Sequence, residues 1–347
     1  MRALLFLVLV ASAFGQLAPW TKGYLDLHQI HTGRGNALYA VFPDGTTMLF
    51  DAGDVPDGPA LEMGPRGPDA ASYIKRLSKK IDYLVASHYH DDHIGGIGAV
   101  LKEISVGTWI DRGTNPPPLP SPQYFKLRQD FTGKKETIAP GRRNQIQTNY
   151  PNFEIRNVAG NGEVWTGKGE RAKSVFPKNW QSLPKNLHPN ENHFSIALHI
   201  RYGAFDYFTG ADLIGVALDG LPAWHDLETP VAKVVGPVDA MVLNHHGWLD
   251  TTNDFFLKTL NPRIAILPSW HASHPDHSVL RRLRSPRGPR PDLFATSLLE
   301  APKAVFRYLL KDAFKSTEGH VLIRVAPGGA TYTVHVSESS FGPYQSR

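Results

Sequence analysis

The chain of 347 residues contains no cysteine. That excludes a disulfide framework, a thiolate metal site and a thiol nucleophile. A G-x-S-x-G nucleophile elbow is also missing, so no serine hydrolase of that kind is expected. Beyond the N-terminus there is no apolar run long enough to span a membrane. No repeat of 20–50 residues is visible. Any metal must therefore be held by His, Asp or Glu.

The one apolar run, residues 3–10, follows Met1-Arg2 and precedes the small residues of 11–15. This reads as a secretory signal over 1–15, cleaved before Gln16. It implies a periplasmic or extracellular protein with no stable membrane anchor after cleavage. The net charge is only +5, but it is uneven. Between Arg112 and Asn190 there are 13 Lys/Arg against 5 Asp/Glu, and Arg281, Arg282, Arg284, Arg287 and Arg290 form a second basic cluster. Such clusters either attract phosphates and anionic polymers or form an ordinary solvated face.

Alternating apolar stretches and turn signals predict strands at 25–30, 37–42 and 46–50, a helix at 70–80, a strand at 81–86 and a helix at 95–104. Hairpins are predicted at 195–209 and 321–336, with strand–helix units between them. Residues 111–189 are rich in Pro and Gly and read as a basic insertion with some strands, at 153–158 and 163–166. The remainder, within 16–347, reads as one catalytic domain. Strands in each half that end in His or Asp suggest two sheets with helices outside and a site where strand ends meet.

Sixteen histidines matter because of where they fall. After the strand at 81–86 comes Ser87-His88-Tyr89-His90-Asp91-Asp92-His93. Extended backbone puts His88 and His90 on one side. The turn at Ile94-Gly95-Gly96 lets Asp92 and His93 face a neighbouring position. Two imidazoles can then serve one metal, and a carboxylate with an imidazole a second. Further donors stand at predicted strand ends: His193, Asp212, His245 and His246. An Asp between two metals can bridge them about 3.5–4 Å apart, as two-metal hydrolysis requires. His188 competes with His193, although its surroundings read as loop. His245 competes with His246, and His246, beside Gly247, is preferred.

His88-x-His90-x-Asp92-His93 resembles the HxHxDH signature of the metallo-β-lactamase superfamily. The segments 33–37, 42–45, 49–53, His245-His246-Gly247 and His274-Pro275 are similar to its ComEC-type branch. The resemblance implies a four-layer αββα sandwich. It implies metal 1 on His88, His90 and His193, metal 2 on Asp92, His93 and His246, and Asp212 as the bridge. Asp92 and Asp212 become the catalytic carboxylates. Two divalent ions, zinc first and manganese or iron as alternatives, would lower the pKa of a bridging water, and the hydroxide would attack carbonyl or phosphorus. The expected substrate is a phosphodiester or other phosphoester, small or polymeric, with nucleic acid among them. Lactone or β-lactam hydrolysis, iron-dependent redox chemistry and a non-catalytic binding protein are the alternatives. His245, His274 and Trp248 are candidates for substrate or supporting contacts. Asp51 and Asp54 read as turn-forming or supporting residues, and His225 shows no partner pattern.

Overall fold

The computed structural model describes residues 18–54, 62–116, 121–218, 220–310 and 313–347. The expected signal segment, 1–15, lies outside the described residues. Six strands enter a first sheet: β1 Leu25–Gln29, β2 Leu38–Val41, β3 Thr47–Phe50, β4 Lys80–Ala86, β5 Ser105–Asp111 and β6 Lys134–Thr137. The chain then builds a second sheet from β7 Phe153–Gly160, β8 Glu163–Trp165, β9 Ala172–Ser174, β10 Ala197–Tyr202, β11 Phe205–Thr209, β12 Ala240–Val242, β13 Ile264–Leu267, β14 Asp292–Ala295 and β15 Phe314–Ser316. It returns to the first sheet with β16 Val321–Val325, β17 Thr331–Val336 and β18 Ser339–Gln345. The spatial orders are β18-β17-β16-β1-β2-β3-β4-β5-β6 and β15-β14-β13-β12-β11-β10-β7-β8-β9.

Side-chain alternation sorts the strands into layers. Leu25, Leu27, Phe50 and Val85 of the first sheet meet Leu198, Ile200, Val242 and Ile266 of the second in one shared core. The opposite face of the first sheet buries Tyr39, Leu49 and Leu84 against Ile74, Ile97, Val100 and Tyr124 of its helices. The opposite face of the second buries Phe208, Met241 and Leu267 against Val231, Phe256, Leu257 and Val279. Helices thus cover both outer faces, giving the expected four-layer αββα sandwich.

Two local expectations change. The helix predicted over 70–80 spans only Ala70–Ile74. Ser78 turns the chain: its hydroxyl donates to the Lys80 carbonyl and accepts from the Lys80 amide, and β4 begins there. The helix predicted over 95–104 starts at Ile97 and runs to Glu103, after a separate turn, Asp91–Ile94. At the break, a Cβ on Gly95 would stand 2.1 Å from the Asp54 carbonyl oxygen, so only glycine permits that approach. Residues 111–189 are woven into both sheets. β6 edges the first, β7 lies beside β10, and β8 and β9 extend the second.

The neighbours β3–β6 run parallel, as do β11–β15. Parallel strands end together, and loops that leave the carboxyl ends of β4, β11, β12 and β13 can converge. Away from those loops, Tyr202 pins three chain segments. Its buried hydroxyl donates to the Gly23 carbonyl at 2.7 Å and accepts from the Gly328 amide at 2.8 Å. Tyr202→Phe leaves both groups unpartnered and is expected to lower the unfolding free energy by about 1–3 kcal/mol, read from urea denaturation.

Candidate metal centre

β4 delivers the chain directly into the first donors. His88 and His90 alternate onto one side, with His88 Nε2 3.1 Å from His90 Nδ1. His90 then caps the single turn Asp91–Ile94, which swings Asp92 and His93 round to a second position. Asp51, fully buried at the end of β3, fixes this loop. Its carboxylate accepts from Ser87 N at 2.8 Å, Ser87 Oγ at 2.8 Å and Asn36 Nδ2 at 3.0 Å. It also lies 2.7 Å from His93 Nδ1, so that nitrogen carries the proton and Nε2 faces inward. Gly35 packs against the same turn: at φ +100°, a Cβ there would stand 2.1 Å from the Asp92 carbonyl oxygen.

The second sheet supplies the opposing side. After β11, Ala211 takes φ +48° and aims Asp212 into the loop cluster. After β12, His245 and His246 both hold positive φ, 45° and 53°. Non-glycine residues in that region carry backbone strain of roughly 1–3 kcal/mol each and persist only where surrounding contacts enforce them. Here His245 N donates to the Ala211 carbonyl at 2.8 Å. Glu228 grips both flanks of the double histidine, accepting from Asn244 Nδ2 at 2.7 Å, Thr252 N at 2.7 Å and Asn253 N at 2.8 Å.

Two donor groups result. Asp92, His93, Asp212 and His246 bring their ligand atoms within 4.8 Å of one another, and so do His88, His90 and Asp212. Asp212 belongs to both. His246 Nε2 lies 2.9 Å from Asp92 Oδ2, and Pro268 O, 2.8 Å from His246 Nδ1, sets its tautomer. His93 Nε2 and Asp212 Oδ1 stand 3.1 Å apart, yet neither has a hydrogen-bond partner among the described residues. A buried imidazole nitrogen and a buried carboxylate oxygen left in this way, among further imidazoles and Asp92, fit a divalent cation bound by nitrogen and oxygen.

The electrostatics agree with that fit. Burial disfavours the carboxylate of Asp212, but the imidazoles of His93, His245 and His246 hold its pKa well below the usual range. Burial likewise opposes charge on His93, yet Asp212, Asp92 and Asp51 raise it well above 6.5. His245 rises to about 9 against its own burial, through Asp212 and a 2.7 Å contact with Asp250. The two aspartates thus demand positive charge, which a divalent ion would supply in place of protons on these imidazoles.

The other sequence candidates stand outside the two groups. His193 does not enter either group. Its Nδ1 lies 2.7 Å from Asn190 Oδ1 and its Nε2 2.8 Å from His225 Nδ1. His225, read from sequence as lacking a partner, is therefore paired, and it stacks on Trp224. His188 Nε2 reaches the Leu183 carbonyl at 2.8 Å. His245 stands beside the shared carboxylate, its Nε2 3.6 Å from Asp212 Oδ2, the oxygen that lies 3.7 Å from His88 Nε2. His274 stacks on His246 at 5.0 Å and meets Trp248 and Trp270 edge-on. Asp51, read from sequence as turn-forming or supporting, holds the loop through Ser87 and His93. Its role depends on Ser87 and His93, 36 and 42 residues later.

Residues 32–177 match the family model described as "Metallo-beta-lactamase superfamily". Recombination protein 2 of Haemophilus influenzae is 24% identical over 278 residues, covering 78% of this chain and 27% of that protein. The chain thus spans about a quarter of that relative's length. Similar solved structures include CmlA, a diiron β-hydroxylase from Streptomyces venezuelae, at 16% identity and a TM-score of 0.46, over 89% of this chain and 55% of that one. A diphosphatase from the PhnP family has 12% identity and a TM-score of 0.43, over 88% and 98%. Zn(2+)-bound PqqB from Methylobacterium extorquens has 12% identity and a TM-score of 0.38, over 86% and 99%.

Two outcomes are expected from the groups that support the donors. Asp51→Ala frees the His93 ring and should weaken divalent-metal affinity roughly 10–100-fold, measured by Zn²⁺ competition against a chromophoric chelator. Glu228 gives a pH effect. Burial raises it from 4.5 to about 8, against the hydrogen bonds donated by Asn253, Thr252 and Asn244. A raised carboxyl pKa favours the protonated fold, so this stability is complete below pH 4.5 and is lost as pH rises through about 8. Denaturant midpoints should therefore fall between pH 5 and 8 more in the wild type than in Glu228→Gln.

Proposed function

We propose that this chain, which carries a metallo-β-lactamase superfamily domain, is a metal-dependent hydrolase acting on a phosphodiester or other phosphoester through two divalent ions. The observation that carries the reading is Asp212, a buried carboxylate shared by two separate donor groups. One group would hold the first ion on His88, His90 and Asp212. The other would hold the second on Asp92, His93, His246 and Asp212. Imidazole with carboxylate suits zinc, with manganese and iron as alternatives. Such ions supply Lewis acidity and a water of lowered pKa, so no protein nucleophile is needed.

The chain's own residues do the rest. Asp51 and the Pro268 carbonyl orient His93 and His246. His245, held by Asp250, faces the same region from the partly open side and can hold a proton at Nε2. Trp248, Trp270 and His274 wall the His246 side. An anionic substrate is favoured by Lys168, Arg171, Lys173, Lys178 and Lys185, all exposed on the segment that leads into the Asn190–His193 turn. Positive charge along an approach path raises the local concentration of a phosphoester.

The test is metal content by mass spectrometry, run beside chromogenic phosphodiester, phosphomonoester, lactone and β-lactam substrates. Two ions per chain with phosphodiester turnover are expected; His90→Ala should cost one ion and the turnover, and Asp212→Ala both ions and the turnover. Lactone or β-lactam turnover alone would overturn the substrate, and one iron without hydrolysis would overturn the reaction class.

A further inference from the structure

A buried ion pair outside both donor groups joins the two sheets beside the site. Arg112, at the end of β5, is fully buried, and Glu191 nearly so. They meet as a two-pronged fork, Arg112 Nε to Glu191 Oε1 at 2.6 Å and Nη2 to Oε2 at 2.7 Å. The guanidinium lies over Tyr89 at 4.6 Å and Phe194 at 5.0 Å, and its third donor reaches the Pro116 carbonyl at 3.0 Å. The fork therefore has no rotational freedom.

Glu191 does one thing more. Its Oε1 also accepts the backbone N–H of Tyr89 at 3.0 Å. Tyr89 separates His88 from His90, so this bond fixes the His88–Tyr89 peptide plane, one of the two between the imidazole-bearing residues. Beside it, Ile196 N donates to the Ser87 carbonyl at 3.1 Å and Tyr89 Oη donates to the Gly113 carbonyl at 2.8 Å. The second donor group hangs directly on Asp51 and the Pro268 carbonyl; Asp51 reaches His88 only through the Ser87 hydroxyl, 3.0 Å from His88 Nδ1.

A buried ion pair is a weak source of stability, because desolvation offsets most of the attraction, and well-packed apolar replacements often serve as well. An apolar pair could not accept the Tyr89 amide. We propose that Glu191, locked by Arg112, is a positioning residue for the His88–His90 half of the centre, setting the two imidazoles in register to share one ion. This rests on the two-ion reading above.

The experiment compares two double variants of the full chain by calorimetric Zn²⁺ titration of metal-free protein, with thermal melts alongside. Arg112→Met/Glu191→Leu removes the charges and the acceptor together. Arg112→Met/Glu191→Gln removes the charges but keeps an oxygen for the Tyr89 amide. Two zinc ions are expected on the wild type and on the Gln variant. In the Leu variant one ion should weaken by about 10–100-fold while the other holds its affinity. The inference is overturned if the folded Leu variant binds both ions as the wild type does, or loses both alike. It is equally overturned if the Gln variant loses one, which decides the matter even where the Leu variant does not fold. A wild type that binds fewer than two zinc ions instead defeats the two-ion reading itself.

Discussion

The arrangement depends on keeping the charge of Asp212 buried between two sheets. A carboxylate with almost no solvent contact is costly unless cations or strong donors face it. The first sheet answers with His88 and His93, the second with His245 and His246. Neither sheet alone could surround the group. The shared core of Leu27, Phe50, Leu198 and Ile266 therefore does more than exclude water. It sets the spacing at which strand ends from both halves reach one carboxylate. The positive φ angles at Ala211, His245 and His246 are a local cost of that convergence.

Much of this was legible in the sequence, for physical reasons that can be named. Alternation over residues 25–50 and 195–209 marks strands because each presents one face to a core. His88, His90, Asp92 and His93 can be read together because they lie within one extended segment and one turn. Asp212 and His246 could be placed because predicted strands stop just before them. Of the two adjacent histidines, His246 enters a donor group, while His245 is held by Asp250 at Nδ1 with its Nε2 3.6 Å from Asp212.

The rest was hidden because it rests on contacts between residues far apart in the chain. His225 meets His193 across 32 residues, and no periodicity announces such a pair. Arg112 and Glu191 are 79 residues apart, one at the start of the basic stretch 111–189 and the other just past its end. That stretch read as an insertion because its Pro and Gly break the periodic signal; its β6 and β7 belong to different sheets. The helix expected over 70–80 shortened because a serine hydroxyl competes for backbone groups, which a hydrophobic pattern does not register.

The closing hairpin has a consequence in time. β1 lies between β2 and β16, and Leu27 of β1 faces Ile323 across nearly three hundred residues of sequence. A ribosome delivers β2 to β6 long before it delivers β16. Until then β1 presents an unpaired edge, and the first sheet is incomplete. Pairings of such long sequence separation form slowly, because loop closure precedes any gain from contact. The nascent chain would hold its histidine loop ready early, and gain its finished scaffold only as the last strands emerge.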